Sequence, residues 1–517
     1  MKTALKNMLR VAISMLMVTL VATPTLAARA KKQVNPFDVS KVKVAIENVD
    51  GMTVADFTGD SSQDIVLLGR TDDKQKQIQV FSLNGDGSAK PAAQTVNLAD
   101  DLLFYDTGIL AQPADQHKTS LIFLKPGKVQ RYDMTDHKLY TLVASDSIYR
   151  QSRQRTSNIK PMKFLHDVND DGLADILIPD FTHSNLFIQQ PDGTFAPPQQ
   201  LDIKAQMQVR YDNSAAFSGV EVFVADYNFD DQLDLVYRVG SALHVFTQND
   251  GKFSTSATIT PLTTSLPLSD EDDDFSKDQS NLRIHRFYKL IDLNNDKMLD
   301  LITKVTKSSG LLDKSSQYQF YFGHKSANTT NAILQFSEEP DSVISSPGMQ
   351  FELELVDFNG DEQLDLVSPS FELGIGSIIA SLFSSSADLD VMFHSLKAGS
   401  RYHKKPNLEK ELSVDFDLSS GQRAYPLLKI SDFDGDGMND LLIGHGSKRV
   451  YLYRGIDNKK LFKRKPAKFR LKLPRNGQLI AANDLNNDGR TDLIVRYDKL
   501  DGTVLHGEMK ILLSKAN

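Results

Sequence analysis

No cysteine occurs anywhere in the 517 residues. Disulfides, thiolate zinc sites and cysteine nucleophiles are therefore excluded. Tryptophan is absent too, which removes the strongest aromatic anchor for a sugar or a cation. Beyond the N-terminus no apolar run approaches the ~20 residues that a membrane-spanning helix needs. Basic residues do not prevail: 59 Lys and Arg stand against 67 Asp and Glu, giving a net charge of −8. No basic patch dominates, which argues against a nucleic-acid partner. HExxH, the GxSxG elbow and a phosphate-cradling glycine loop are all missing, and the eleven histidines are scattered. What remains is 40% hydrophobic and 24% charged, the composition of a soluble globular chain. Its length suits several domains or one body built from repeats.

The N-terminus reads as a targeting segment. Lys2, Lys6 and Arg10 precede an apolar core from Val11 to Ala22, and Thr25-Leu26-Ala27 supplies small residues at the −3 and −1 positions of a signal-peptidase site. The expectation is a signal peptide over 1–27 and a linker over 28–40. No cysteine follows that would carry a lipid anchor, so the expected location is periplasmic or secreted. Loss of three positive charges takes the net charge to −11.

One pattern dominates the rest: a short apolar lead, a nine-residue acidic loop, then an apolar run. Position 1 of the loop is Asp56, Asp167, Asp226, Asp292, Asp357, Asp432 and Asp484 in turn. Position 3 is Thr58, Asn169, Asn228, Asn294, Asn359, Asp434 and Asn486. Position 5 is Asp60, Asp171, Asp230, Asp296, Asp361, Asp436 and Asp488, and position 9 is Asp64, Asp175, Asp234, Asp300, Asp365, Asp440 and Asp492. The first gap, 111 residues, is about twice the later ones, which run from 52 to 75. Halving it predicts a degenerate eighth copy near residue 112, where Gln112, Ala114, Gln116 and Ser120 replace the polar positions. The stretches before Asp56 and after Asp484 together make one more period, so the two ends are expected to complete a single unit.

Such a period means a solenoid, propeller or array. The runs after the loops, such as Ile65-Val66-Leu67-Leu68 and Leu441-Leu442-Ile443, have the length and composition of buried strands. Asn84-Gly85-Asp86-Gly87, Asp192-Gly193 and Asn249-Asp250-Gly251 supply the positive φ that tight turns between further strands require. Three to four strands per unit, closed end to end, make an all-β fold, a β-propeller of about eight blades. The parallel β-helix has much shorter repeats.

The seven acidic copies resemble the FG-GAP and VCBS-type repeats of exported bacterial proteins and of the integrin α-subunit head. The resemblance spans almost the whole chain after residue 40, although the namesake Phe-Gly and Gly-Ala-Pro elements are largely absent. It implies a calcium-bearing propeller with metal loops between the first two strands of its blades. It also implies seven blades as the alternative to the eight counted here.

Calcium takes six to eight oxygen ligands, and side chains at positions 1, 3, 5 and 9 with a backbone carbonyl near position 7 can wrap one ion. Up to about seven Ca2+ are expected. Magnesium, which prefers an octahedron with retained waters, fits less well. No copy has the position-12 glutamate of an EF-hand, so the loop should close onto a strand. Three carboxylates in one loop repel, and without a cation the loop should be strained or loose. The loop at Asp432, with four carboxylates and Gly437, should bind tightest, and the loop at Asp56 weakest. The ions are expected to be structural, since seven similar sites do not make one reaction centre.

Two insertions stand out. Residues 265–281 hold the acidic run Asp270 to Asp274, expected to be a solvated loop. Residues 372–388 are apolar enough for a short helix. His445, in Gly444-His445-Gly446-Ser447, follows the loop at Asp432 and reads first as a polar turn residue. No catalytic constellation emerges, so the chain reads as a non-catalytic binding, adhesion or envelope scaffold for a protein or polysaccharide ligand. The alternative is a polysaccharide-active lyase or hydrolase.

Overall fold

Each apolar run that follows an acidic loop is buried on both faces: Ile65, Val66, Leu67 and Leu68 are all fully buried, as are Leu235 and Val236, and Leu493, Ile494 and Val495. A strand buried on both sides needs a packed layer against each face, and a ring of sheets standing face to face provides it. The computed structural model describes residues 35–516 except 92–93, 112–117, 150–157, 210–214, 263–267, 269–281, 310–313, 328–331, 348, 351–352, 372–385, 398–400, 416–425 and 458–459. The segment 1–27, linker residues 28–34, the degenerate positions Gln112, Ala114 and Gln116, and most of both insertions lie outside the described residues.

Eight sheets of four main antiparallel strands follow one another along the chain. Blade 1 is Asn48–Ala55, Asp64–Arg70, Lys76–Ser82 and Gln94–Asn97. Blade 2 is Phe104–Ile109, Thr119–Lys125, Lys128–Tyr132 and Leu139–Ala144, with Lys160–Pro161 added in parallel to its first strand. Blade 3 is Leu165–His166, Asp175–Pro179, Ser184–Phe187 and Gln199–Leu201, and blade 4 is Val222–Ala225, Asp234–Val239, Ala242–Phe246 and Thr258–Pro261. Blade 5 is Leu282–Ile291, Asp300–Ser308, Lys314–Tyr321 and Ser342–Pro347. Blade 6 is Glu354–Val356 with Met349–Gln350, then Asp365–Phe371, Ser386–His394 and Leu408–Asp415. Blade 7 is Leu428–Ser431, Asp440–His445, Arg449–Tyr453 and Ala467–Arg470.

Blade 8 takes three strands from the C-terminal end, Ile480–Asn483, Asp492–Val495 and Glu508–Ser514. Its fourth is Phe37–Lys43, paired antiparallel from Phe37 opposite Ser514 to Lys43 opposite Glu508. The two ends of the repeat region thus complete one unit, as the spacing predicts. The strand begins inside the stretch read as linker, so residues 37–40 belong to the propeller: Phe37 is buried against Phe433 and Phe469.

The core is divided into eight apolar clusters, one at each blade-to-blade interface. The cluster of Val44, Ile46, Ile65, Leu67, Leu485 and Ile511 joins blade 8 to blade 1 and closes the ring. The count of eight blades holds, including blade 2, whose copy has lost the acidic loop and whose Ser120 is buried in the second strand. Leu268, within the stretch read as a solvated insertion, is buried in the interface of blades 4 and 5. Residues 386–388, the end of the second insertion, belong to the strand Ser386–His394. No helix among the described residues is long and apolar enough to cross a membrane.

Candidate metal-binding loops

All seven acidic loops occupy the same place. The first strand ends at the residue before position 1, and position 9 is the first residue of the second strand. Since strands alternate in direction, the seven loops gather at one end of the ring. Two residues in every loop adopt left-handed backbone. Position 4 does so from Gly59 (φ 79°) to Phe229 (φ 61°) and Asn487 (φ 54°), and position 6 from Gly172 (φ 80°) to Lys297 (φ 67°) and Glu362 (φ 63°). Glycine meets this demand without cost, whereas Phe229, Lys297 and Glu362 are held there against their own preference.

The loop at Asp167 shows the shared wiring. Asp167 accepts the backbone N–H of Asp171 at 3.1 Å and of Gly172 at 2.8 Å. Asp171 accepts the N–H of Leu173 at 2.8 Å and the Asn169 side-chain amide at 2.9 Å. Asp175, fully buried, accepts the N–H of Val168 on Oδ2 at 3.0 Å and that of Gln189 on Oδ1 at 2.8 Å. The position-9 contact to the position-2 amide recurs in all seven loops. Its second contact, to an amide at or just beyond the end of the third strand, recurs for Asp234, Asp300, Asp365, Asp440 and Asp492. Backbone amides therefore hold the carboxylates in a defined arrangement.

Position 2, which the sequence reading passed over, explains why the loops matter to the fold. It is Phe57, Val168, Tyr227, Leu293, Phe358, Phe433 or Leu485, each buried, and each belongs to the cluster shared with the next blade. Its side chain plugs the interface while its amide binds position 9. The column is apolar seven times out of seven, a signal present in the sequence. Neighbouring loops are also joined directly: Thr119 N–H donates to the Asp56 carbonyl at 2.9 Å, Thr491 N–H to that of Asp432 at 2.7 Å, and Asn487 to the Ser61 carbonyl at 3.0 Å across the ring closure.

The donor set suits a hard divalent cation. Side-chain oxygens stand at positions 1, 3, 5 and 9 of every loop, and the position-3 oxygens of Asn169 and Asn486 are buried with no hydrogen-bond partner. An oxygen left in that state is costly unless something electropositive meets it. Ca2+ held by positions 1, 3, 5 and 9 would supply that charge and tie the start of the second strand to the loop.

Among the described residues, basic side chains reach the carboxylates of at least three loops. Arg454 Nη1 lies 3.0 Å from Asp434 and 2.8 Å from Asp440. Lys90 lies 2.7 Å from Asp60, and Arg490 pairs with Asp488. The loop at Asp432, ranked tightest from sequence, is also the one described place where three carboxylates (Asp432, Asp434, Asp440) bring ligand oxygens within 4.8 Å of one another. The Arg454 guanidinium would compete with a cation for those oxygens. Arg454→Gln is expected to raise the calcium affinity of this loop while lowering the melting temperature in EDTA, since Asp440 is then buried without its counter-ion. Calcium titration and melting of the variant check this, and unchanged affinity would remove the competition.

Burial pushes the Asp300 and Asp365 carboxyls up to about 7 and those of Asp175, Asp234, Asp440 and Asp492 up to about 6, against the pull of the facing amides. With folded values above the unfolded one, each ionised carboxylate opposes folding above about pH 7. That opposition is relieved as pH falls through 7 and 6. His166, held down to about 4 by burial, acts in the other direction with or without calcium. A calcium ion held by the ionised loops would compete with protons. The melting-temperature difference between calcium and EDTA is therefore expected to narrow steadily from pH 7.5 to pH 5, as read by fluorimetry. A constant difference would disconnect these carboxylates from the ion.

A family model described as FG-GAP-like repeat matches residues 167–237 and 432–495, covering blades 3 to 4 and 7 to 8 from acidic loop to acidic loop. The chain is a β-propeller that carries FG-GAP-like repeats. No curated protein matches its sequence. Among solved structures the propeller is similar to an Agrocybe aegerita lectin described as recognising non-reducing terminal N-acetylglucosamine, at 15% identity and TM-score 0.39, over 73% of this chain and 83% of the lectin. It is also similar to the Nup133 β-propeller domain of Vanderwaltozyma polyspora, at 9% identity and TM-score 0.33, over 84% and 98% of the two chains. A putative 6-phosphogluconolactonase from Bacteroides uniformis matches at 9% identity and TM-score 0.30, over 79% and 96%.

Proposed function

We propose that this propeller is an exported, calcium-stabilised, non-catalytic scaffold that binds a protein or polysaccharide ligand in the cell envelope or outside the cell. The observation that carries the binding role is an exposed aromatic cluster outside the blades. Between blades 3 and 4 the chain forms a separate hairpin, Gln206–Val209 paired with Ala215–Ser218. Met207 and Phe217 face each other across it, 60% and 38% exposed, and Phe181 stacks edge-on against Phe217 at 4.9 Å while 43% exposed itself. Large apolar side chains clustered in water mark an interaction site. The hairpin follows the outer strand of blade 3, so it sits at the end of the ring away from the acidic loops. Calcium then fixes the blades from one end while the other end presents the contact surface. Export rests on the features of residues 1–27.

The test is capture from envelope extract in calcium, with Phe181→Ser/Phe217→Ser beside the unaltered chain. A partner retained by the unaltered chain and lost from the variant supports the scaffold. Release of oligosaccharides from a polysaccharide panel replaces it with a polysaccharide-active enzyme.

A further inference from the structure

Averaged over the chain, charge is acidic, yet blade 7 departs from the average. Among the described residues between Lys448 and Arg475, ten exposed side chains are basic and one, Asp457, is acidic. The sequence reading that no basic patch dominates holds for the chain as a whole and fails for this outer edge. Arg454 pairs with the acidic loop, at the other end of the strands from His445, Lys448, Arg449 and Arg470.

At the far end of blade 7 the turn His445–Arg449 and the outer strand enclose an open groove of about 580 Å³, lined by His445, Gly446, Ser447, Lys448, Arg449 and Arg470. His445 is opposite Arg449, and Arg449 is opposite Arg470, so three adjacent strands present a row of nitrogen donors on one sheet face. Neighbouring strands are about 5 Å apart. Two like charges directly opposite each other destabilise a sheet, and Arg449 and Arg470 carry no carboxylate between them. The floor beneath is fixed: Leu471 N–H donates to the Lys448 carbonyl at 3.2 Å and Leu473 N–H to that of Ser447 at 3.0 Å. A rigid concave site that holds uncompensated cations together is complementary to a polyanion.

We infer that this groove binds an anionic polysaccharide, a glycan chain bearing carboxylate or sulfate groups. The surroundings select this class over other polyanions. Single-stranded nucleic acid would use open aromatic rings for base stacking, but Tyr451 beside the groove is engaged, with His445 stacked on it at 5.1 Å and Lys468 over it at 4.7 Å. Insertion at an anionic membrane needs apolar side chains among the cations, whereas Phe469, Leu471 and Leu473 are turned into the core. This site is separate from the aromatic cluster of blades 3 and 4, and either can fail without the other.

Hyaluronan and dextran sulfate serve as carboxylate and sulfate probes, with neutral dextran, oligo(dT) and phosphatidylglycerol vesicles beside them. Binding of at least one anionic glycan is expected, weakening about tenfold or more between about 50 and about 200 mM salt as counterion release requires. Arg449→Glu sets a carboxylate opposite Arg470. It should weaken glycan binding about tenfold while leaving the melting temperature unchanged or higher. Lys74→Glu/Lys252→Glu, changing exposed lysines elsewhere, should bind as the unaltered chain does. Glycan affinity of Arg449→Glu within twofold of the unaltered chain, equal losses in the control variant, or tighter binding of oligo(dT) or vesicles than of either glycan would overturn the inference. So would no binding of either glycan at low salt.

Discussion

Chelation with EDTA is expected to lower the melting temperature by roughly 5 °C or more relative to millimolar calcium. An ion that binds only the folded state at a hundredfold its Kd contributes about 2.7 kcal/mol. Two loops saturated to that extent already give about 5 kcal/mol, which in a chain of this size moves the midpoint by several degrees. The effect should be collective, because position 2 of each loop is packed into the interface with the next blade. Loosening Asp234 frees the amide of Tyr227, whose ring lies in the cluster between blades 4 and 5 and whose hydroxyl reaches Thr260 at 2.6 Å. Melting followed in calcium, in magnesium and in EDTA should rank calcium first. Equal midpoints in all three would show that the amides alone hold the loops.

Asp300→Ala should cost about 2–5 kcal/mol even in EDTA. The aspartate accepts the amides of Leu293 and Gly323, both at 2.8 Å, from a fully buried position. Deleting it leaves two buried N–H groups without an acceptor, each worth about 1–3 kcal/mol. Relief of a carboxylate that burial already disfavours offsets part of this loss. Asp296→Ala in the same loop removes an exposed side chain and should cost less than about 1 kcal/mol in EDTA. In calcium both variants would also lose their loop's ion, so both costs should rise by a similar amount and the gap between them should persist. Urea unfolding of the pair in both conditions separates the hydrogen-bonding role from the metal role, and equal costs in EDTA would contradict the separation.

Much of this architecture is legible in the chain itself. Seven copies of one acidic pattern give the period, the doubled first gap exposes blade 2, and the short terminal stretches foretell the shared blade 8. Less legible is what each aspartate binds. The partner of Asp365 Oδ1 is the amide of Leu396, 31 residues away, and only the folded third strand brings it there. Arg454 reaches Asp434 and Asp440 for the same reason. His445 follows the acidic loop closely in sequence, but the strand Asp440–His445 carries it to the opposite end of the blade, roughly 16 Å away at strand rise. Phe37 was hidden because a lone strand pairing across nearly the whole chain has no local pattern to announce it. The basic edge of blade 7 was masked by averaging over 517 residues, and a count over one blade recovers it.

Native mass spectrometry of the purified chain, dialysed against calcium and then against EDTA, addresses the central claim most directly. The account predicts several bound calcium ions, up to one for each of the seven loops, all removed by the chelator, with a smaller complement after substitution at any one position-1 aspartate. A chain of identical mass in both conditions would show that the ring of acidic loops holds no ions and that the propeller stands on its amide cages alone.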